Sequence, residues 1–255
     1  MAAFSDFRIL PSYARGFTCL WSVAGDFRDP GPWTFSVHEG PAPDGPWKKL
    51  SPDLQNAYLW AEVSRKPVGK ANVLYFKITL RTSKGTYDSP VIQPYGTLCR
   101  QDFLVAREIM RQAVLHSKGM AGTECDVFIR STFGPKCRHC RDPITGMVRN
   151  SQCDHCLGTG RDPAYHGPYR MFLNFSEDAQ HHTDTEKIGT VEKKTFTASC
   201  IGNPALKQGD AVIVPTSDKR YFVAAVAVTA EMRRIPVIQT LSLEEAPLTD
   251  KIYSL

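Results

Sequence analysis

Four cysteines in the middle of the chain have the spacing of metal ligands. Cys137 and Cys140 form one Cys-x2-Cys pair, and Cys153 and Cys156 form a second pair after twelve intervening residues. Each pair brings two thiolates together from one tight turn, so two pairs complete a tetrahedral shell of four thiolates. Such a shell leaves no coordination position for water. We therefore predict a structural Zn²⁺ site, with iron in the same ligand set as the alternative ion and disulfide pairing as the alternative chemistry.

The surroundings of the cysteines favour metal binding over disulfides. The first residues lack a basic segment followed by an apolar one, so we expect a chain made in a reducing cytoplasm, where cysteines serve as thiols and metal ligands. Asp142–Gly146 is typical of a hairpin turn, and Leu157–Gly160 forms a glycine-rich exit from the second pair. The remaining cysteines are isolated and are predicted to be buried thiols: Cys19, Cys99, Cys125 and Cys200.

Basic residues concentrate around the four cysteines. The chain has 31 Lys plus Arg and 26 Asp plus Glu, a net charge of +5, and residues 130–170 account for +4 of it. One interpretation is a nucleic-acid contact through Arg138, Arg141 and Arg149. The interpretation that we prefer is that basic side chains offset the negative charge of a four-thiolate shell and otherwise face solvent. His181 and His182 lie in an acidic stretch that predicts a solvated loop, with a second metal site as the alternative.

The sequence contains no recognisable catalytic motif. A nucleophile elbow, a phosphate-binding loop, a His-Glu-x-x-His helix and a dinucleotide fingerprint are all absent, and Gly209-Asp210 indicates only a turn before a strand. We therefore expect a protein that is not an enzyme. No apolar run approaches the roughly 18–20 residues needed to span a bilayer, and Val223–Val228 is among the longest. We expect no membrane partner.

The elements that must position the cysteines are mainly strands. A length of 255 residues with 42% hydrophobic residues predicts two or three domains. Residues 8 to about 94 alternate in side-chain character and are broken by Gly- and Pro-rich turns, which predicts an antiparallel sandwich over residues 1–96. Its strands are predicted at Phe17–Val23, Trp33–Val37, Ala57–Val63, Val73–Thr82 and Pro90–Gln93.

This first region resembles a fibronectin type III domain. Trp21 and Tyr75 stand where that family keeps its core Trp and Tyr, and WTFSVHEGPAPDGPWKKLS resembles its third strand, following turn and next strand. The resemblance implies that both aromatic rings lie between two sheets, each burying roughly 150–250 Å². Some other sandwich with core aromatics is the alternative.

After a boundary near Gln93–Leu98 the pattern becomes helical and then returns to strands. Apolar residues recur at spacings of three and four from Gln101 to Lys118, with Asp102 as N-cap and Gly119 as the C-terminal glycine of a helix packed on its own domain. A partner-binding helix is the alternative. A small barrel is predicted for residues 171–255, and Ala246–Leu255 is expected to be an extended arm. Its strands are expected at Met171–Phe175, Thr190–Cys200, Asp210–Pro215, Arg220–Val228 and Ile235–Leu243.

The order of these parts resembles a family of tailed-bacteriophage virion proteins. The matching features run from the helix around Arg107–Met110 through a strand at Asp126–Arg130 to the four-cysteine segment, its Asp-Pro-x-x-Gly turn and its Cys-x-Gly-Thr-Gly exit. The resemblance covers roughly residues 99–245 and includes the closing hairpin with LKQGD. We assign residues 97–170 to a helix and zinc-knuckle segment. It implies a structural protein of the neck or head–tail connector, in a ring with copies of itself and other virion proteins. A baseplate or tail position and a zinc-ribbon nucleic-acid-binding protein are the alternatives. The exit turn is also similar to the zinc segments of J-domain chaperones, but no J-domain precedes it.

Overall fold

The computed structural model describes residues 3–10, 17–62, 74–93, 100–142, 145, 147–150, 152–176, 180–186, 189–232 and 234–255. The fold is mainly β, with a small closed barrel and a cluster of four cysteines, as the sequence predicts. Among the described residues, no helix combines the length and apolar character that a bilayer crossing requires.

The amino-terminal part consists of two antiparallel sheets around a shared core. One sheet has the order β1-β2-β6, and the other has the order β4-β3-β7-β8 with β5 beside β3. Trp21 on the second strand and Phe35 on the third are fully buried between the sheets. The strands are β1 (Phe4–Leu10), β2 (Phe17–Val23), β3 (Thr34–Gly40), β4 (Lys48–Lys49), β5 (Leu54–Gln55), β6 (Leu59–Glu62), β7 (Tyr75–Arg81) and β8 (Thr86–Asp88).

Two details of this part differ from the prediction. The core position on β7 belongs to Phe76, which is fully buried, whereas Tyr75 is only half-buried. Successive side chains of a strand point to opposite faces, so a shift of one residue exchanges core and surface. The last predicted strand, Pro90–Gln93, forms only an isolated bridge between Ile92 and Phe76. β7 pairs with β3 on one edge and with β8 on the other, and β8 ends before the predicted strand at Pro90–Gln93 begins.

A third sheet, of seven strands, closes through six of them into a barrel. Its order is β10-β9-β13-β14-β15-β12, closed by pairing of β10 with β12, and β11 continues the sheet beyond β12. The barrel therefore begins at Thr123, earlier than the predicted residue 171, because β9 pairs with both β10 and β13. The strands are β9 (Thr123–Arg130), β10 (Tyr165–Phe175), β11 (Gln180–Glu186), β12 (Gly189–Ile201), β13 (Ala211–Val214), β14 (Lys219–Met232) and β15 (Ile235–Glu245).

The stretch containing His181 and His182 is a strand rather than the predicted loop. Its backbone pairs with β12, placing His181 opposite Lys194 and His182 opposite Lys193. Polar side chains carry no alternating apolar pattern, so the hairpin leaves no signal of the usual kind in the sequence.

Helix α1 (Arg100–His116) covers one side of the barrel. Ala106 and Met110 are buried against Ile235 and Val237 of β15, as the spacing of three and four predicts. Asp102 lies in the first turn of the helix rather than at its cap. The chain continues into a π-helical turn, Ser117–Ala121, which includes the predicted C-terminal glycine.

The end of the chain folds back on the barrel instead of forming an extended arm. Ala246 and Ile252 are buried in a cluster with Ala211 of β13, and Lys251–Ser254 form a 3-10 helix. The guanidinium of Arg220 donates to the carbonyl oxygen of Ile252 and lies 4.7 Å from the ring of Tyr253. Two isolated buried residues in a short tail produce no periodicity, which is why the sequence predicted an arm.

The sheet β1-β2-β6 is covered on both faces. Cys19 and Trp21 of β2 face the core between the two amino-terminal sheets, whereas Leu20 belongs to the core of the barrel. Leu59 of β6 also lies in the barrel core, and Phe133 packs against both cores. The predicted boundary at 93–98 falls almost wholly outside the described residues, and these apolar contacts join the sandwich to the barrel.

Candidate metal centre

Residues 131–164 leave the barrel after β9 and return to it at β10, and they carry the four predicted ligands. We call this insertion the knuckle. Its two ends pair through a bridge between Lys136 and Arg161, and a second bridge joins Arg141 to Val148 within the turn between the cysteine pairs. Along the chain, the first bridge thus encloses both cysteine pairs and the second lies between them, although part of the Asp142–Gly146 turn lies outside the described residues.

The four thiols of Cys137, Cys140, Cys153 and Cys156 form one compact, buried cluster. All four Sγ atoms lie within 4.8 Å of one another, and none of the four residues is more than 6% exposed. The Sγ atoms of Cys140 and Cys156 are 3.2 Å apart, and those of Cys137 and Cys153 are 4.0 Å apart. A tetrahedral ion with metal–sulfur bonds of about 2.3 Å places neighbouring sulfurs about 3.8 Å apart. The four cysteines could hold one metal ion, and this is the only cluster of three or more such ligands among the described residues.

Disulfide pairing is not found here, because all four residues are free thiols. A disulfide bond requires sulfurs about 2.05 Å apart, well below either separation. Of the isolated cysteines, Cys19, Cys125 and Cys200 are buried free thiols, as predicted, and Cys99 lies outside the described residues.

Backbone hydrogen bonds shape each half of the knuckle around its cysteines. The amide of Arg149 donates to the carbonyl oxygen of Cys140 at 2.8 Å, and that of Leu157 donates to the carbonyl oxygen of Cys153 at 2.8 Å. The amide of Gly160 donates to the Sγ of Cys156 at 3.3 Å. Hydrogen bonds of this kind orient a thiolate ligand and stabilise its negative charge.

The exit turn requires glycine at position 160. Leu157, Gly158 and Gly160 all have positive φ angles, of 47°, 77° and 70°. A Cβ atom on Gly160 would lie 2.5 Å from the Cγ2 of Val148 on the facing turn. The Cys-x-Gly-Thr-Gly sequence therefore has a steric reason that spacing alone does not reveal.

The thiols are not equivalent in the metal-free chain. Hydrogen bonds from the backbone amides of Cys156 and His155 lower the pKa of Cys153 to about 7, against the opposing effect of burial. Burial raises the pKa of Cys140 and that of Cys156 above the usual range. A divalent ion that replaces the thiol protons would remove the cost of burying these charges, since metal binding deprotonates its cysteine ligands.

Two histidines at matching positions form a feature that the sequence analysis missed. His139 and His155 are each the third residue of a Cys-x-His-Cys segment, and their rings stack with centroids 3.7 Å apart and planes inclined by 15°. The two Cys-x-His-Cys segments thus approach each other so that the histidine of one faces the histidine of the other. The shared Cys-x-His-Cys pattern was visible in the sequence and could have indicated this arrangement.

Most of the basic side chains near the cysteines have partners within the protein. Arg149 forms an ion pair with Asp142. The Nη1 of Arg161 donates to the carbonyl oxygen of Gly134 at 2.5 Å, and the Nη1 of Arg141 donates to that of Gly160 at 3.5 Å. Arg138 is exposed on the first cysteine turn. The arginines near the metal centre therefore serve largely to hold the knuckle together.

The knuckle also contacts the sandwich and the tail. The ring of Tyr58 lies so close to Gly134 that an added Cβ would be 2.7 Å from its Cδ2 atom. The Nζ of Lys251, in the terminal 3-10 helix, lies 2.6 Å from the Oδ1 of Asp154, between the second pair of cysteines. The metal centre is thus placed where three parts of the chain meet.

No protein-family model and no curated protein matches the sequence. Among solved structures, the chain is similar to one described as titin kinase and its flanking domains, with 7% sequence identity and a TM-score of 0.31. The alignment covers 95% of this chain and 37% of that chain. A TM-score of this size does not establish a shared fold.

Proposed function

We propose that this chain is a non-enzymatic structural protein whose knuckle binds one Zn²⁺ through Cys137, Cys140, Cys153 and Cys156. The observation that carries the proposal is the closed shell of four buried thiols at the meeting point of sandwich, barrel and tail. Four thiolates fill the coordination sphere of a tetrahedral ion, so the metal has no position for a substrate or a reactive water. Its effect is then mechanical, because it fixes the knuckle and, through it, the neighbouring parts.

The particular assembly that we propose is the virion of a tailed bacteriophage, made in the cytoplasm of the host bacterium. The chain would lie in the neck or head–tail connector, in a ring with copies of itself and other virion proteins, and a baseplate or tail position is the closest alternative. Exposed apolar side chains support a protein with several partners: Met147 is 71% exposed, Leu115 is 53% exposed and Leu248 is 85% exposed. Apolar side chains of this size gain free energy when a neighbouring subunit covers them.

The sandwich supports the same proposal as a fibronectin type III-like module. The three-strand sheet β1-β2-β6 faces the sheet β4-β3-β7-β8, and Trp21 is buried on the second strand. In this proposal the five-strand sheet, β4-β3-β7-β8 with β5, projects from the ring, because the other sheet of the sandwich is covered by the barrel. Its outer surface is then the part available to another virion protein.

The rival proposal from another class is a zinc-ribbon nucleic-acid-binding protein. It depends on Arg138, Arg141 and Arg149, and two of these are engaged with Gly160 and Asp142 within the knuckle. Phosphate-driven binding weakens steeply between about 50 and 200 mM salt, whereas association through apolar surfaces persists. DNA binding by the purified chain, measured by fluorescence anisotropy across this range, separates the two proposals.

The direct test of the virion proposal is mass spectrometry of purified particles together with averaged images of the neck. We expect the chain in every particle at a fixed copy number, and zinc in elemental analysis of the isolated protein. Absence of the chain from particles, combined with tight and salt-sensitive DNA binding, would overturn the structural proposal in favour of its rival.

A further inference from the structure

The outer face of α1 carries large apolar side chains that the barrel does not cover. The inner face is buried through Ala106 and Met110. On the opposite side Leu104 is 39% exposed, Val105 is 52% exposed and Leu115 is 53% exposed. A surface helix normally presents polar residues on this side, so an apolar outer face indicates a contact with another protein surface.

Four residues of this face form a single stripe along the helix. Leu104, Glu108, Arg111 and Leu115 are separated by four, three and four positions. At 3.6 residues per turn, these positions fall within about 60° of one another around the helix axis. Alternating steps of three and four residues are the spacing by which two helices pack side by side. The stripe has leucines at its ends and a carboxylate and a guanidinium in its middle.

Three pairs of identical residues in α1 lie at equal distances on either side of a point between Ile109 and Met110. Leu104, Val105 and Ala106 before that point are matched by Leu115, Val114 and Ala113 after it, at equal distances. Glu108 and Arg111 are also equally far from it and carry opposite charges. A twofold axis beside the outer face at this point, perpendicular to the helix, would bring each residue of the stripe beside its counterpart on a second, antiparallel helix.

The charges select this arrangement over a parallel one. In an antiparallel pair, Glu108 of one copy lies beside Arg111 of the second copy, and Leu104 lies beside Leu115. In a parallel pair in register, Glu108 faces Glu108 and Arg111 faces Arg111, which is repulsive. Within one chain Glu108 already accepts from the Nη2 of Arg111 at 2.6 Å and from its Nε at 2.9 Å. Two such pairs side by side form a ring of four alternating charges.

We propose that the outer face of α1 is a twofold, antiparallel contact between two copies of this chain, made by Leu104, Glu108, Arg111 and Leu115. This goes beyond the proposed function, since it needs no other virion protein and no particular place in a particle. A helix of 17 residues is about 25 Å long, so the contact is smaller than the interfaces of permanent dimers. The dimer therefore dissociates on dilution.

The test is sedimentation velocity of the zinc-loaded full chain over a wide range of concentration. Glu108→Arg places four positive charges in the contact, and Arg111→Glu places four negative charges there. We expect each variant to remain monomeric where the natural chain dimerises, and an equimolar mixture of the two to recover the dimer. Arg28→Glu, a charge reversal at an exposed position outside α1, is the matched control and should dimerise like the natural chain.

The side chains of Glu108 and Arg111 are 52% and 55% exposed, respectively. We therefore expect circular dichroism to show that the Glu108→Arg and Arg111→Glu variants keep the fold of the natural chain. A natural chain that is monomeric at every concentration overturns the proposal. Association that both variants retain, or a mixture that stays monomeric, overturns it as well.

Discussion

Each thiol of the knuckle completes a shell that has no spare ligand. Replacing Cys153 by Ser removes one of four donors from a buried site, and a hydroxyl is a poor replacement for a thiolate on Zn²⁺. Because metal binding in small zinc modules contributes on the order of 10–16 kcal/mol, we expect Cys153→Ser to lose both the ion and the order of the knuckle. Elemental analysis and native mass spectrometry measure the loss directly.

The control for this prediction is Cys200→Ala, at a buried cysteine of the barrel core. It should keep one zinc ion per chain at a modest cost in stability. Equal zinc content in Cys153→Ser and in the natural chain would contradict the four-thiolate site.

A buried histidine gives the chain a second, metal-independent property. The Nε2 of His166 on β10 lies 2.8 Å from the Oγ of Ser131, and burial lowers the pKa of His166 to about 4. In the unfolded chain a histidine has a pKa of about 6.5. The stability that depends on a neutral His166 is therefore complete above pH 6.5 and is lost as the pH falls towards 4.

The expected loss between pH 7 and pH 4.5 is about 2–3 kcal/mol in the free energy of unfolding. His166→Gln has no such group, so its stability should fall less over the same range in urea unfolding experiments. The natural chain and His166→Gln both contain the knuckle. The pH dependence of the knuckle therefore cancels when the two unfolding free energies are subtracted. Identical pH profiles would show that His166 does not titrate as its burial implies.

Sequence analysis identified the four clustered cysteines better than individual core residues. Their clustering follows from spacing, which is local, whereas the core position on β7 depends on strand register, which is set by pairing with distant residues. That is why Phe76, and not the predicted Tyr75, occupies the core position on β7. The stacking of His139 on His155 follows from their equal positions in two Cys-x-His-Cys segments, a signal that the spacing of the cysteines alone does not contain.

At the scale of elements, the exit turn of the knuckle depends on one glycine. Gly160→Ala introduces a Cβ atom 2.5 Å from Val148 at a position with a φ of 70°. We expect the turn to shift and carry Cys156 with it, since the amide of Gly160 donates to that sulfur. Competition with a chromogenic zinc chelator should show an affinity weakened by about tenfold or more, equivalent to roughly 1–3 kcal/mol of strain.

Gly25→Ala is the matched control, because an added Cβ there meets no atom within 4 Å. It should leave zinc affinity and melting temperature nearly unchanged. If both alanine variants bind zinc equally well, the turn tolerates a side chain and the steric argument is wrong.

The terminal segment is part of the barrel rather than an arm, and this makes a prediction of its own. Ile252 is 1% exposed in a cluster with Ala211 and Ala246, whereas Leu248 is 85% exposed. Ile252→Ala should reduce the free energy of unfolding by about 2–4 kcal/mol, and Leu248→Ala should change it by less than about 0.5 kcal/mol. Chemical denaturation of the two variants provides the comparison. A stability loss of equal size in both would support the predicted extended arm and contradict a terminal segment packed on the barrel.

Element types were predictable wherever side chains showed a period. The helix at Arg100–His116 and strands such as β2 and β14 follow apolar patterns that the sequence displays. Strand β11 has no such pattern, because all seven of its residues are polar. The bounds of the barrel were missed for another reason: β9 is separated from its partner β10 by the whole knuckle, so its membership depends on a pairing across a long insertion.

At the scale of the whole molecule, the sandwich and the barrel share buried residues. Leu20 and Leu59 belong to the barrel core although their strands belong to the sandwich. We therefore expect the full chain to unfold in a single transition, with a calorimetric enthalpy close to the van't Hoff enthalpy. Two separate transitions would indicate independent domains, which is the prediction from the sequence. Leu59→Ala tests the coupling, since it should lower the melting temperature of the entire transition rather than that of the barrel alone.

The position of the knuckle within the barrel also bears on the order of events during folding. β9 and β10 are neighbours in the barrel, yet residues 131–164 separate them along the chain. A flexible excursion of that length slows the meeting of its two ends, because closing it restricts the chain before any strand pairing compensates. The proposed zinc ion would hold this segment in a compact unit whose ends pair at Lys136 and Arg161. Such an ion would act as a nucleus for barrel closure, so we expect refolding to be faster when zinc is present from the start than when it is added afterwards.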